Sequence, residues 1–232
     1  MSNKEKKVVV LQSNYLPWKG YFDLIRQADL FIFYDDVQFT KNDWRNRNKI
    51  KTAHGSEWIS IPCGTNLKRL INEVKIKDSR WQEDHWNRIC LSYSKSEYFG
   101  LYKGFFEDFY LQRKWESLSE LNQYLIVNIA KMFLNLTTEF QNSTSYRLSG
   151  VRLDLLLDLL KKADATTYIS GPSAKSYISE DAFRNENIKI DWMNYSDYSE
   201  YRQQFPPFVH DVSIIDLLFN EGPQAIRYLS RT

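Results

Sequence analysis

The chain has 232 residues, 43% of them hydrophobic and 26% charged, with a formal net charge of +2 at pH 7. That length allows one large domain or two small ones with a true core, and so small a charge does not imply nucleic acid as a bulk partner, so none is expected. Two cysteines, Cys63 and Cys90, without zinc spacing exclude a disulfide framework, while aromatics at 16% point to amphipathic surfaces that face sugars, bases or protein partners. The opening Met1-Ser2-Asn3-Lys4 is no secretory signal and no apolar run approaches a membrane span, so a cytoplasmic protein with reduced thiols is expected.

An apolar run, Val8-Val9-Val10-Leu11, reads as a first strand. It leads into the polar and aromatic loop Gln12-Ser13-Asn14-Tyr15-Leu16-Pro17-Trp18-Lys19-Gly20-Tyr21-Phe22, then a helical pattern over 23–28 and a second strand over 30–34 that ends in Asp35-Asp36. Trp58-Ile59-Ser60-Ile61 is expected as a third strand stopped by Pro62, and 73–77 as a fourth. From 81 to 136 the period becomes helical: Trp81, His85, Ile89 and Tyr93 recur, then Leu118, Leu121, Leu125 and Ile129. Ser117 with Glu120 three residues on fits a capping box. This stretch reads as a helical insertion or lid over the early sheet.

Residues 150–162 form an apolar helix with Val151, Leu155, Leu156, Leu159 and Leu160 on its buried face. A strand over 166–170 follows, then the turn Gly171-Pro172-Ser173-Ala174-Lys175 opening a helix through Tyr177, an edge strand over 188–193, and a tail helix over 211–220 stopped by Gly222-Pro223. The tail repeats the order of the opening. The expected fold is α/β, a Rossmann-like, mostly parallel sheet in one domain spanning 1–232, with 81–136 as the helical insertion.

Ligands of such folds bind where strand ends meet helix starts. Gln12, Asn14, Tyr15, Trp18, Asp35, Asp36 and Gln38 fall at that edge. Two adjacent carboxylates on a continuing strand point opposite ways, so at most one of Asp35 and Asp36 faces a pocket, as a cation ligand, a base or a holder of a hydroxyl or amine; the other reading is a helix or turn cap. Arg45, Arg47 and Asn48, in a basic loop with Trp44, suit a diphosphate, or else form a solvated face. His210, beside Asp211 and near Ser213 and Asp216, is a general base, or Asp211 and Ser213 merely cap the tail helix. Cys63 has no local base and reads as structural.

Trp18-Lys19-Gly20-Tyr21 occupies the place where a nucleotidylyltransferase-like domain carries its His-x-Gly-His, and Ser173 lies in the position of that fold's second phosphate loop. Trp18 and Tyr21 replace both histidines, which argues against nucleotidyl transfer.

Together, the Gln12–Phe22 motif, Asp35-Asp36-Val37-Gln38-Phe39, Arg45-Asn46-Arg47-Asn48, Tyr168-Ile169-Ser170-Gly171-Pro172-Ser173 and the segment from Val212 to Gly222 resemble the WbqC-like family. Ser13 stands where many members have Pro. The resemblance implies a role in O-antigen or other surface-polysaccharide (lipopolysaccharide) biosynthesis, as a glycine or other aminoacyl transferase acting on amino sugars.

The function expected on this basis is transfer of a glycyl or similar acyl group to the amine of a nucleotide- or lipid-linked amino sugar. Asp35, Asp36 or His210 would serve as base, Arg45 and Arg47 would hold the diphosphate, and Gln12, Asn14, Tyr15, Trp18, Gln38, Asn48 and Ser173 would contact the substrate. No metal site is expected, no cofactor is identified, and assembly into a homo-oligomer is left open. The rivals are a sugar-nucleotide binding module without chemistry and a degenerate nucleotidylyltransferase.

Overall fold

β1 (Lys7–Leu11) carries three consecutive valines, a composition suited to a strand covered on both faces. It pairs in parallel with β2 (Leu30–Phe33) on one side and with β6 (Thr167–Ser170) on the other. β5 (Glu139–Asn142) extends the sheet beyond β2, and β7 (Lys189–Trp192) extends it beyond β6. The computed structural model describes residues 5–176 and 178–229.

The five strands run in the order β5-β2-β1-β6-β7, all parallel. This is the Rossmann order, in which successive strands step outward on one side of β1 and then continue on the other. The chain reverses its direction of growth between β1 and β6, and the crevice at the carboxyl ends of those strands is where such sheets bind ligands.

Alternation along the strands splits the core in two. Val9, Phe31 and Phe33 face a large cluster built with α1 (Lys19–Arg26), α2 (Arg80–Tyr93), α3 (Phe99–Glu107), α4 (Leu118–Asn128) and α7 (Ile214–Glu221). Val8, Val10, Leu30 and Ile32 face a second cluster with α5 (Leu153–Lys162) and α6 (Glu180–Asn185). Helices therefore cover both faces of the sheet. No helix among the described residues is long and apolar enough to cross a membrane.

The helical periodicity of the middle stretch is realised. Trp81, His85, Ile89 and Tyr93 are buried on α2, and Leu118, Leu121 and Leu125 on α4, where Ser117 accepts from the Glu120 N–H.

Other elements differ from the expectation. The Trp58 segment joins β4 (Gly55–Ser60), which pairs in antiparallel fashion with β3 (Arg47–Thr52) in a separate hairpin rather than in the main sheet. The basic stretch is thus a strand from Arg47 on, with Asn48 and Ile50 turned inward, while residues 41–46 remain turns. Residues 73–77 hold no strand: a short 3₁₀ turn, Ile71–Glu73, stands there, with one isolated bridge from Lys75 to Ser117. The Gly171 turn opens a 3₁₀ helix, Pro172–Ser176; Tyr177 lies outside the described residues, as do residues 1–4. The buried face of α5 is Leu157, Leu159 and Leu160, whereas Val151 is 71% exposed and Leu155 and Leu156 are half-buried.

Candidate functional site

The loop after β1 is held from several sides. Ser13 is buried and its N–H donates to Asp35 Oδ1 at 2.8 Å. The Tyr15 N–H donates to the Trp44 carbonyl at 2.9 Å, and Asn48 Nδ2 donates to the carbonyls of Tyr15 (3.1 Å) and Leu16 (2.6 Å). Leu16 adopts φ +43°, a conformation costly for a branched side chain unless its surroundings impose it. Arg45 donates to Asn14 Oδ1 and pairs with Asp43 at 3.5 Å. The hairpin beginning at Arg47 thus clamps the loop.

The start of α1 is covered. Trp18 bridges Ser213, the Ile214 N–H donates to the Pro17 carbonyl at 2.9 Å, and Lys19, Gly20, Tyr21 and Phe22 are buried. The helix start that takes phosphate in dinucleotide-binding sheets is closed here. The Trp18 ring lies so close over Gly20 that a Cβ there would meet it at 2.3 Å, which is why glycine follows Trp18-Lys19. The same ring packs edge-on to Tyr195 and Tyr198, with centroids 5.3 and 6.0 Å apart.

Asp35 and Asp36 diverge as two successive strand-end residues should. Asp35 is buried and its Oδ2 accepts from the Ser119 hydroxyl and from Gln123 Nε2 (3.0 Å). With Ser13 on its other oxygen, it is fully engaged in joining the β1 loop to α4. Asp36 instead lines a cavity of about 900 Å³ at the carboxyl edge of β1, β2 and β6. The Ser143 hydroxyl donates to its Oδ1, and no other hydrogen bond to it is made among the described residues.

The cavity is largely apolar. Leu153, Leu155 and Leu156 of α5 line it together with Leu11, Val37 and Leu70. Tyr34, Tyr168 and Tyr195 also line it. Burial and, secondarily, the Asp36 charge raise the Tyr34 pKa; burial above all pushes Tyr195 up to about 12. Both therefore stay protonated donors at neutral pH.

Among the residues singled out in the sequence, Gln12, Asp36, Gln38 and Ser173 line this cavity. Asn14, Tyr15, Trp18, Asp35, Arg45, Arg47, Asn48 and His210 do not. Tyr15 is fully buried, its hydroxyl between His85 Nδ1 (2.9 Å) and the Tyr110 hydroxyl. Arg47 stacks on Trp58 with its guanidinium carbon 4.2 Å from the ring centroid. His210 is exposed, and its ring packs edge-on to Phe208 at 4.5 Å. Partial burial and the Lys19 charge lower its pKa, against the pull of Glu200 and Asp211. Asp211 pairs with Lys49 at 2.5 Å, Ser213 caps α7, and Asp216 takes hydrogen bonds from Tyr201 and Gln203. Cys63 is buried, and that burial pushes its thiol up to about 12, so it is no thiolate.

A model of the WbqC-like protein family matches residues 12–228. The chain belongs to this family. A curated protein of Mycobacterium tuberculosis, described as uncharacterized, is 42% identical over 226 residues, which cover 97% of each chain. No solved structure matches. In this WbqC-like protein the motifs behind the resemblance divide into two kinds. Asn14, Tyr15, Trp18, Arg45 and Asn48 build and brace the loop, whereas Gln12, Asp36, Gln38 and Ser173 face the cavity.

Sequence reasoning passed over Tyr34, Tyr195 and Arg152, which also line the cavity. One signal was present for the last: Leu153, Leu155 and Leu156 give α5 a wider apolar face than the sheet covers. Among the described residues, no group of three or more His, Cys, Asp or Glu side chains is placed to hold a metal ion.

Proposed function

We propose that this protein is a transferase of surface-polysaccharide biosynthesis. It moves a glycyl or similar acyl group onto the amine of a nucleotide- or lipid-linked amino sugar bound in the cavity at the carboxyl edge of the sheet. The observation that carries this reading is Asp36: the one carboxylate among the cavity's described lining residues, with one oxygen held by Ser143 in a largely apolar site.

The chemistry follows from that placement. The amine attacks the carbonyl carbon of an activated acyl ester or thioester and forms the C–N bond. Asp36 takes the amine proton as positive charge develops on nitrogen. The C–O or C–S bond to the donor then breaks, and the proton passes to the leaving group. Apolar walls strengthen the carboxylate's pull on the ammonium-like transition state. Tyr34 and Tyr195, kept protonated, donate to sugar hydroxyls, and the Gln12 and Gln38 amides orient the ring.

The test is a transfer assay read by mass spectrometry, with a panel of nucleotide-linked amino sugars and acyl esters or thioesters as donors. The wild-type protein should yield N-acylated sugar, and Asp36→Asn should lose turnover by roughly 100-fold while its acceptor Kd stays within about threefold. Acceptor binding without product from any donor class supports a binding module instead.

A further inference from the structure

We propose that Arg152 is the anion-holding residue of this site and grips the diphosphate through which the acceptor sugar is linked to its carrier. The inference rests on the acceptor reading given above and names the half of the ligand that Asp36 does not address.

The cavity's charge is simple. Among the described residues lining it, Asp36 is the single carboxylate and Arg152 the single cation. A diphosphate-linked amino sugar carries a strong anion at one end and an amine at the other, the same pairing of charges. A ligand with a diphosphate needs a cation at its binding site, since an anion moved towards an apolar wall without a partner loses its hydration uncompensated.

Three residues of the basic stretch singled out in the sequence are committed elsewhere. Arg45 is bound to Asn14 and Asp43, Lys49 is paired with Asp211, and Arg47 lies on Trp58, none of them on the cavity wall. The covered start of α1 cannot offer its N–H groups. Arg152 is exposed, and among the described residues it makes no ion pair. Its guanidinium offers a planar fork of donors that matches two phosphate oxygens at once.

The turn that presents it is fixed. Gly150 has φ +95°, and a Cβ there would meet Asp154 Cβ at 2.8 Å. The Ser149 N–H donates to Asp158 Oδ2 at 2.8 Å, and Lys162 holds the same oxygen at 2.7 Å. Arg152 itself stands at φ +55°, ψ −117°, a conformation that a non-glycine residue adopts only where its neighbours impose it.

The experiment is calorimetric titration of the wild-type protein, Arg152→Ala, Arg152→Lys and Arg47→Ala. The ligands are UDP, a UDP-linked amino sugar, and farnesyl diphosphate in detergent micelles. Because Arg152 is exposed, its variants should match the wild-type melting temperature. Loss of at least about tenfold in diphosphate affinity in Arg152→Ala, partial recovery in Arg152→Lys and no change in Arg47→Ala would support the assignment. Preference for UDP or for farnesyl diphosphate tells a nucleotide carrier from a lipid one. Unchanged affinity in Arg152→Ala overturns the assignment; if the UDP-linked amino sugar still binds and Asp36→Asn still loses turnover, the acceptor reading survives it. Failure of the wild-type protein to bind any of the three ligands removes both.

Discussion

The backbone N–H of Ser13 donates to Asp35 Oδ1 at 2.8 Å, so the first of the two strand-end carboxylates is spent on tying the β1 loop to the end of β2. Ser119 and Gln123 bind its other oxygen, and Ser13, Asp35 and Ser119 are all buried. Asp35→Ala leaves the buried Ser13 N–H and the Ser119 hydroxyl without their acceptor and should destabilise the protein by about 2–4 kcal/mol. Asp36→Asn, on the cavity wall, should stay within about 1 kcal/mol of wild type. Urea unfolding measures both. Equal stability losses for the two variants would contradict the division of roles.

Gly20→Ala drives a methyl into the Trp18 ring, 2.3 Å from its nearest atom. The indole must then leave its packing on Tyr195, itself a cavity residue. A loss of about 1–3 kcal/mol is expected, together with a changed tryptophan emission spectrum. A variant with wild-type melting and emission would show that the loop tolerates a displaced ring.

Asn48 is buried and satisfies the carbonyls of both Tyr15 and Leu16, the latter at positive φ. Asn48→Ala leaves two buried acceptors unpaired and should cost about 2–3 kcal/mol. Hydrogen exchange should rise in residues 13–18 well before it rises in the sheet. Uniform loosening of the whole chain would argue against a local clamp.

His85 gives the fold an acid sensitivity. Burial, with the Arg88 charge second, lowers its pKa from 6.5 to about 3, so it is neutral in the folded protein at pH 5. The unfolded chain takes up that proton near pH 6.5. The contribution is therefore fully present above pH 6.5 and is lost as pH falls towards 3, at up to about 1.4 kcal/mol per pH unit. Unfolding midpoints at pH 7.5, 6 and 5 should show this slope, and His85→Gln should flatten it. An unchanged slope in the variant would assign the effect to other groups.

The parallel sheet was legible because β1 and β2 are unbroken apolar runs and β6 follows a strongly periodic helix. β3 was not, because its inward positions include Asn48 and its outward ones are Arg47 and Lys49, so a strand alternation looked like a charged loop. β5 is a polar edge strand with Phe140 as its one large apolar residue, too weak a pattern to register. Of the site, the strand-end carboxylates were visible, but which of them faced the cavity was decided by Ser119 and Gln123, more than 80 residues away in the chain. Arg152 was hidden because its position at the carboxyl edge of β1 and β6 depends on the crossover through α5.

In the function proposed above, the acceptor binds in the cavity at the carboxyl edge of β1 and β6. Ser173 is exposed on its rim, so Ser173→Trp can fill the mouth without touching the core. The most direct measurement is the Kd of a nucleotide-linked amino sugar for wild type and for Ser173→Trp, with melting temperatures recorded beside it. An affinity loss of about tenfold or more at unchanged melting temperature is the predicted result. The same Kd in both proteins would contradict it and move the acceptor site elsewhere on the molecule.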